Sequence, residues 1–309
     1  MNVLIIGLGS IGRKHIDALK KLQPNVIVFA LRSIKNSDVY LDVINIYTLI
    51  DIKIKIDFII ISNITSEHEK SILQAIDFHC PIFIEKPVLA STINADIISQ
   101  KLSSKNIHTY VACNLRFHPS IQFISNYLKT NSLKINEVNI YSGSFLPEWR
   151  TSKNFRETYS SSIKLGGGVH LDLIHEIDYC TWLFGLPENV VSVKRNVSTL
   201  NIDAYDFANY ILYYPKFSAT ITLNYYRRDK KRQIEILTDD TTIFIDLEKN
   251  KIINLVTNEV LFSSNFNILD TYLNQMNYFI ENIIANKETM NSFSYAVNIL
   301  KLANNENNA

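Results

Sequence analysis

The sequence lacks most features that mark secreted, membrane-spanning or metal-binding chains. Its three cysteines, Cys80, Cys113 and Cys180, are widely spaced and form no Cys-x-x-Cys pair, which argues against a disulfide framework and a zinc site. The apolar run that follows Met1 reaches glycine after Ile6, so it is too short for a signal peptide or a membrane span. We therefore expect a reduced, cytoplasmic location, with no membrane partner and no bound metal.

Excess charge of one sign is also missing. The chain has 31 Lys and Arg against 30 Asp and Glu, a net charge of +1, and no basic run of the kind that drives nucleic-acid binding through counterion release. We expect no nucleic-acid partner. With 309 residues, 47% of them hydrophobic, the chain is long enough for two globular domains of roughly 150 residues each.

The order of apolar segments predicts two different domains. From Asn2 to Cys113, short β-branched runs alternate with helix-length amphipathic stretches, which is typical of a doubly wound parallel sheet flanked by helices. After Pro119, strand candidates joined by turn signals predict an open, mainly antiparallel sheet, followed by two C-terminal helices. We predict a Rossmann domain over residues 1–119, and a substrate and oligomerisation domain over residues 120–309.

A glycine fingerprint follows the first predicted strand directly. Gly7-Leu8-Gly9-Ser10-Ile11-Gly12 also opens a predicted helix, and this is the context in which Gly-x-Gly-x-x-Gly indicates dinucleotide binding. Gly7 would allow the tight turn, Gly9 the approach of a pyrophosphate, and Gly12 close packing of helix on strand. The sequence therefore predicts a nicotinamide cofactor.

The end of the second predicted strand bears on the choice between NAD and NADP. NAD-specific sites usually carry a carboxylate here, but the strand ends in Arg32 and Ser33, and Asp38 comes several residues too late. Arg32 and Ser33 could hold a 2'-phosphate, which favours NADP. Alternatively, Arg32 is solvated, or it stacks on adenine in an enzyme that uses either cofactor.

Five motifs in order resemble those of the glucose-fructose oxidoreductase / inositol dehydrogenase / rhizopine-catabolism (Gfo/Idh/MocA) oxidoreductases. They are Gly7–Gly12, Ile64–His68, Glu85-Lys86-Pro87, Asn114–Pro119, and Gly166–Gly168 followed by Asp172 and His175. The resemblance spans nearly the whole chain. It implies the two-domain fold predicted above, and it implies that Lys86 lies near the nicotinamide, commonly before a cis Lys-Pro bond.

In the family, an Asp and a His on one helix work with this lysine, and these roles pass here to Asp172 and His175. The family's usual spacing is Asp-x-x-x-His, whereas the spacing from Asp172 to His175 in this chain is Asp-x-x-His, which is one residue shorter. His175 is the natural acid/base, Lys86 a cation that polarises the substrate oxygen, and Asp172 a group that orients the imidazole. Asp172 could instead partner a nearby backbone group, and we interpret Asp178 as structural.

A helix starting at Val169 would place Asp172, His175, Glu176 and Tyr179 on one face, towards a cleft. The three glycines before it would leave room for a nicotinamide ring or a sugar. The histidines His15, His79 and His108 show no partner pattern and are interpreted as structural.

Two further groups of residues complete the predicted site. The predicted cofactor-binding residues are Gly7, Gly9, Ser10, Ile11, Gly12, Arg32, Ser33, Asn63, His68, Glu85, Lys86, Asn114, Trp149 and Arg150. The predicted substrate-binding residues are Arg116, Arg156, Tyr159 and Lys164. For Trp149 and Arg150 the alternative is a core ring beside a salt-bridged cation, and for each substrate-binding cation it is a solvated charge.

The resemblance implies an NAD(P)-dependent oxidoreductase that acts on a hydroxyl or keto group of a sugar or sugar derivative, with a place in bacterial surface-carbohydrate synthesis as a narrower expectation. Two alternatives remain open: an NAD-dependent glycoside hydrolase, and a non-catalytic regulatory protein that senses the cofactor. Because relatives pair through the open sheet, we expect a homodimer or homotetramer.

Overall fold

The computed structural model describes residues 1–35, 38–151 and 153–306. The chain forms two compact units: Met1–Asn114 with Ile268–Asn298, and Leu115–Asn267 with the segment that begins at Ile299. Within the described residues the α-helices are α1 Ser10–Leu22, α2 His68–Ala75, α3 Ala95–Ser104, α4 Pro119–Thr130, α5 Val169–Asp172, α6 His175–Phe184, α7 Leu269–Ile284 and α8 Phe293–Asn304.

The first unit is built on a parallel sheet. Its strands are β1 Asn2–Ile6, β2 Ile27–Leu31, β3 Ile44–Ile46, β4 Phe58–Ile61, β5 Ile82–Glu85 and β6 Thr109–Ala112, in the spatial order β3-β2-β1-β4-β5-β6. Every residue of β4 is buried, as expected for a central strand that helices cover on both faces. The doubly wound prediction is confirmed.

The register brings the strand ends of the first unit to a common edge. Ile6 pairs with both Leu31 and Ile61, and Ile61 pairs with Ile84. The residues that follow these strands therefore leave the carboxyl edge side by side, where open parallel sheets bind ligands.

The predicted division at residue 119 differs from the observed units in two respects, the first being that the observed boundary lies after Asn114. The prediction also assigned both C-terminal helices to the second domain, whereas α7 belongs to the first unit and α8 begins there. The reason is aromatic packing. The Phe279 ring on α7 meets the Phe58 and Phe83 rings edge-on, with centroids 5.2 and 5.3 Å away.

The second unit is built on a larger sheet. Its strands are β7 Ile135–Phe145, β8 Asn189–Arg195, β9 Phe207–Tyr213, β10 Ser218–Asn224, β11 Tyr226–Thr238, β12 Thr242–Asp246, β13 Lys251–Asn254 and β14 Glu259–Ser263, in the order β14-β13-β12-β11-β7-β10-β9-β8. Neighbouring strands run antiparallel except β7 and β10, which run parallel. The mainly antiparallel prediction is confirmed.

None of the helices in the described part of the chain is both long enough and apolar enough to span a bilayer.

Candidate active site

The glycine fingerprint lies on the carboxyl edge of the first sheet, between β1 and α1. Gly7 has φ +96°, and a Cβ there would lie 2.3 Å from the Asn63 backbone nitrogen. A Cβ on Gly12 would lie 2.5 Å from the Gly7 carbonyl oxygen. Both positions therefore need glycine because the chain packs on itself there, as the fingerprint predicts.

Gly9 differs from these two glycines because it faces open space. Apart from the residues adjacent to it in the chain, no described residue has an atom within 4 Å of a Cβ built on Gly9. Gly9 caps α1, no side chain caps the helix end, and the first turn holds no acidic residue. Ser10 is exposed and Ile11 half-buried. The amide groups of this helix end are thus available to an anion such as a pyrophosphate.

Arg32 and Ser33 follow β2 on the same edge. Arg32 Nη1 donates to the Asp38 carbonyl and to Asn45 Oδ1, both at 3.3 Å, and within the described segments it contacts no carboxylate. The Asp38 carboxylate instead lies 3.8 Å from Arg13. Ser33 is exposed. None of the described carboxylates therefore forms an ion pair with the Arg32 guanidinium.

Asn63 and His68 follow β4, and the structure corrects the prediction for His68. The residue is 1% exposed, so its ring is enclosed by the protein. Nδ1 lies 2.9 Å from the Pro87 carbonyl oxygen and Nε2 lies 3.2 Å from that of Asn63. Burial lowers the pKa of His68. Asn63 donates to Ser71, while its buried Oδ1 has no hydrogen-bond partner in the described chain.

The Glu85-Lys86-Pro87 segment ends β5, and its Lys86-Pro87 bond is cis, as the resemblance implied. Glu85 Oε1 lies 2.5 Å from His15 Nε2, and Glu85 Oε2 accepts the Lys86 backbone N–H at 3.1 Å. Burial acts to raise the pKa of Glu85, but the hydrogen bond and charge of His15, with the charge of Lys86, lower it overall.

Asn114 follows shortly after β6, and its side chain also has a hydrogen-bond partner within the first unit. Its Nδ2 donates to Thr271 Oγ1 at 2.8 Å, and the side chain is buried. Asn114, which was predicted to bind the cofactor, therefore holds α7 against the edge of the sheet.

The first unit fits a dinucleotide. Four features lie along one edge of its sheet. They are the open space beside Gly9, the start of α1 without a side-chain cap, the Arg32 guanidinium, and the Asn63 Oδ1 that has no hydrogen-bond partner in the described chain. Together they offer donors for phosphate oxygens and an acceptor for a hydroxyl or amide group.

In the second unit, the three consecutive glycines make room for the protein's own chain. A Cβ on Gly167 would lie 2.0 Å from the Tyr159 carbonyl oxygen, and Gly168 has φ +122°. The Gly168 N–H donates to the Ser160 carbonyl at 3.1 Å. The predicted reason, space for a nicotinamide or sugar, is not the one seen here: these glycines let the chain pack against Tyr159 and Ser160.

The single helix predicted from Val169 is interrupted. It divides at Leu173 and Ile174 into α5 and α6, because Leu173 leaves helical geometry at φ −100° and ψ 32°. Asp172 ends α5, and half-buried His175 begins α6. The two residues therefore do not share a regular helical face.

Glu176 and Tyr179, predicted to face a cleft, are 0% exposed. Glu176 Oε1 lies 2.8 Å from Arg232 Nε on β11. Burial raises the pKa of Glu176, and Arg232 acts against that rise. This pair holds α6 to the sheet, so both predicted positions belong to the interior.

Asp172, three residues before His175 in the sequence, is buried, and two tyrosines lie beside its carboxylate. Tyr225 donates its hydroxyl to Asp172 Oδ2 at 2.6 Å. The charge of Asp172, then burial, raises the pKa of Tyr159, and burial, then that charge, raises the pKa of Tyr225. Both phenols therefore stay protonated beside an acceptor. Tyr225 was missed from sequence because nothing local distinguishes it.

Trp149 and Arg150 lie around these same tyrosines. The Trp149 ring is perpendicular to the Tyr225 ring at 5.3 Å, and its Nε1 donates to Ser144 at 2.8 Å. The Arg150 guanidinium lies 4.9 Å from the centre of the Tyr159 ring. The structure thus brings Trp149, Arg150 and Tyr159 together around Asp172.

Arg116 is the clearest correction among the predicted substrate-binding residues. It is 0% exposed, and it donates to Asp178 through Nε at 2.9 Å and through Nη2 at 2.6 Å. This buried bidentate pair excludes substrate contact and agrees with the structural role predicted for Asp178. Arg156 is exposed and donates to the Leu200 carbonyl, and Lys164 is exposed.

Two family models match the chain. The first, an oxidoreductase family with an NAD-binding Rossmann fold, matches residues 1–112, and the second, the GFO/IDH/MocA C-terminal domain, matches residues 132–244. No curated protein matches the chain.

Several solved structures share the fold over almost the whole chain. UDP-N-acetylglucosamine 3-dehydrogenase GnnA from Acidithiobacillus ferrooxidans is 19% identical, with a TM-score of 0.81 over 99% of this chain and 96% of that one. WlbA dehydrogenase from Bordetella pertussis, in complex with NADH and UDP-GlcNAcA, is 15% identical, with a TM-score of 0.81 over 98% and 94%. Levoglucosan dehydrogenase, in complex with NADH and levoglucosan, is 15% identical, with a TM-score of 0.82 over 98% and 95%.

The buried Arg116–Asp178 pair can be tested by removing one charge. Asp178→Asn leaves the Arg116 guanidinium buried without its counter-ion, and we expect the free energy of unfolding to fall by about 3–5 kcal/mol. Both tryptophans, Trp149 and Trp182, lie in the second unit, so their fluorescence during urea denaturation reports this unit. Exposed Asp239→Asn is the control. Unchanged stability with weaker sugar binding would instead support a substrate role for Arg116.

Acid should destabilise the second unit through His170. Burial, and then the charge of Lys194, lowers the pKa of His170 to about 3. Below the ordinary value near 6.5 the unfolded chain gains a proton that the folded chain does not, so stability falls as pH decreases from 6.5 towards 3. Going from pH 7.5 to 5.5 should cost about 1.4 kcal/mol more in the native protein than in His170→Gln, measured by the same denaturation. Equal losses would contradict this.

Proposed function

The chain belongs to the Gfo/Idh/MocA oxidoreductase family, and we propose that it transfers a hydride between a nicotinamide cofactor and the hydroxyl or keto carbon of a sugar or sugar derivative. The names of structural relatives support the substrate class, since they include dehydrogenases of UDP-N-acetylglucosamine and of levoglucosan. The fingerprint, with its open position at Gly9, supports the cofactor class.

One observation carries the proposal most strongly: half-buried His175 begins α6 three residues after Asp172, a carboxylate that accepts a hydrogen bond from Tyr225. Oxidation of a carbinol requires a group that removes the hydroxyl proton as the carbon loses hydride. Imidazole suits this step because it titrates near neutral pH. The buried negative charge of Asp172 favours a cationic neighbour, and so assists the acceptance of that proton.

The roles of the chain's own residues follow from this arrangement. Gly7, Gly9 and Gly12, with the start of α1, would hold the pyrophosphate of the dinucleotide. When bound, its nicotinamide supplies the hydride acceptor or donor. His175 takes the hydroxyl proton during oxidation and returns it during reduction. Lys86 supplies a positive charge that stabilises negative charge developing on the substrate oxygen. Tyr225 fixes the orientation of Asp172.

We propose NADP(H) as the preferred cofactor. Arg32 supports this because it follows β2 and its contacts there are to neutral oxygens, which leaves its charge for a phosphate.

We further propose a homo-oligomer and a cytoplasmic location, with surface-carbohydrate synthesis as the setting. The exposed apolar side chains of Val191, Val193 and Tyr213 on β8 and β9 support a second copy on this sheet. The three cysteines are buried and form no disulfide within the described residues, which supports a reducing compartment.

Cofactor choice can be tested with Arg32→Ala. Because the guanidinium would make a charge-assisted bond to the 2'-phosphate, we expect kcat/KM for NADP(H) to fall about tenfold while that for NAD(H) changes little. Reduced-nicotinamide absorbance measures both, and exposed Arg195→Ala is the matched control. A preference for NAD(H) in the native enzyme, or equal losses with both cofactors, would contradict the assignment.

The chemical step can be tested with Lys86→Ala and His175→Ala. We expect each to lower kcat by about a hundredfold or more, since each removes a group used in the transition state. Reduced-nicotinamide absorbance is followed against a panel of sugars and sugar nucleotides, with both cofactors. Lys55→Ala and His108→Ala are the controls. Full turnover of a genuine substrate by both test variants would refute the mechanism.

A further inference from the structure

A buried histidine links the fingerprint helix to the segment that carries Lys86. His15 follows Gly12 by three residues on α1, and its side chain is 0% exposed. Its Nε2 lies 2.5 Å from Glu85 Oε1. The Phe83 and Tyr272 rings surround the imidazole, with centroids 4.8 and 5.6 Å away. Among the described residues, Glu85 is the hydrogen-bond partner of this imidazole, whose Nδ1 is buried without one.

The chemistry of Glu85 defines the direction of this bond. Despite burial, the pKa of the carboxyl is lowered by His15 and Lys86, so the group is ionised and can only accept hydrogen bonds. His15 therefore donates through Nε2. The second carboxylate oxygen accepts the Lys86 backbone N–H at 3.1 Å. One carboxylate thus joins the imidazole on α1 to the backbone of Lys86.

The other side of Lys86 is held in a similar way. His68 on α2 lies 2.9 Å from the Pro87 carbonyl oxygen and 3.3 Å from that of Val88. The residues before and after Lys86 are therefore each fixed by a buried histidine. Of the two contacts, only the one through Glu85 involves a charged group, and it leads to the helix whose start carries the glycine fingerprint.

We propose that His15 is a positioning residue for Lys86, acting through Glu85. This inference rests on the proposed role of Lys86 in the reaction. Without the His15 donor, the half-buried Glu85 carboxylate loses its hydrogen bond to α1 and turns away towards water. The Lys86 backbone then loses the acceptor that fixes it, and the ammonium group explores more positions. The contact also makes the position of Lys86 depend on the placement of α1.

The first test reads the position of Lys86 without any substrate. Native protein, His15→Leu and His15→Gln are labelled briefly with acetic anhydride, and mass spectrometry gives the rate at Lys86 relative to exposed Lys249. We expect His15→Leu to change this ratio about threefold or more, and His15→Gln, whose amide can donate to Glu85, to stay close to native. His118→Leu removes an equally buried imidazole in the second unit and should leave the ratio unchanged.

An unchanged ratio in folded His15→Leu would overturn the proposal, because it would show that His15 serves only packing. So would an equal change in His15→Leu and His15→Gln. If His15→Leu does not fold, Glu85→Gln replaces it: it keeps the shape of the side chain, loses the charge, and should shift the ratio in the same way.

The second test uses turnover. We expect His15→Leu to lower kcat about tenfold, with a smaller change in the KM for the sugar and in cofactor affinity measured by reduced-nicotinamide fluorescence, while His15→Gln recovers most of the rate. A purely structural histidine would lower thermal stability in both variants without a selective loss of kcat. If the native protein oxidises no sugar, the proposed function fails, yet the labelling result still decides the role of His15.

Discussion

The carboxyl edge of the parallel sheet is the constraint on which the first unit depends. Strands β1, β2, β4 and β5 are in register at their ends, so Gly7, Arg32, Asn63 and Lys86 leave the sheet side by side although they span 80 positions of the chain. The loops must then share a narrow strip. This crowding is why Gly7 has no space for a side chain beside Asn63, and why the remaining open position, at Gly9, is the one suited to a ligand.

The second unit depends instead on carboxylates, each with a partner from another element. Within seven residues, Asp172 accepts from Tyr225, Glu176 meets Arg232, and Asp178 meets Arg116. A buried charge without a partner is costly, so each contact fixes the helix that carries it. Two of the carboxylates are neutralised by arginine and hold α6 in place. Asp172 has neutral phenol donors instead, and it lies three residues before the start of that helix.

Local patterns in the sequence predicted most of the fold. The fingerprint was readable because strand, turn and helix follow one another within residues 2–22, and the sheet types followed from apolar periodicity. The position of α7 was not readable, because it depends on Phe279 meeting rings from β4 and β5.

The candidate site was less predictable because its contacts are distant in sequence. Arg116 lies 62 residues from Asp178, and His15 lies 70 residues from Glu85, so neither pair has a local signal. The consecutive glycines indicated that some group approaches the backbone closely. The sequence alone does not say that this group is the Tyr159 backbone. The interruption at Leu173 was hidden because neither Leu173 nor Ile174 is a helix-breaking residue such as Gly or Pro.

The course of the chain through the two units has a consequence for how this protein can be divided. It leaves the first unit after Asn114, returns at Ile268, and leaves again within α8. A gene fragment that stops at Asn114 would encode the whole parallel sheet, yet it would omit Phe279 and expose the apolar surface that this ring covers in β4 and β5. The nucleotide-binding half is therefore not a module that recombination could move as one continuous piece.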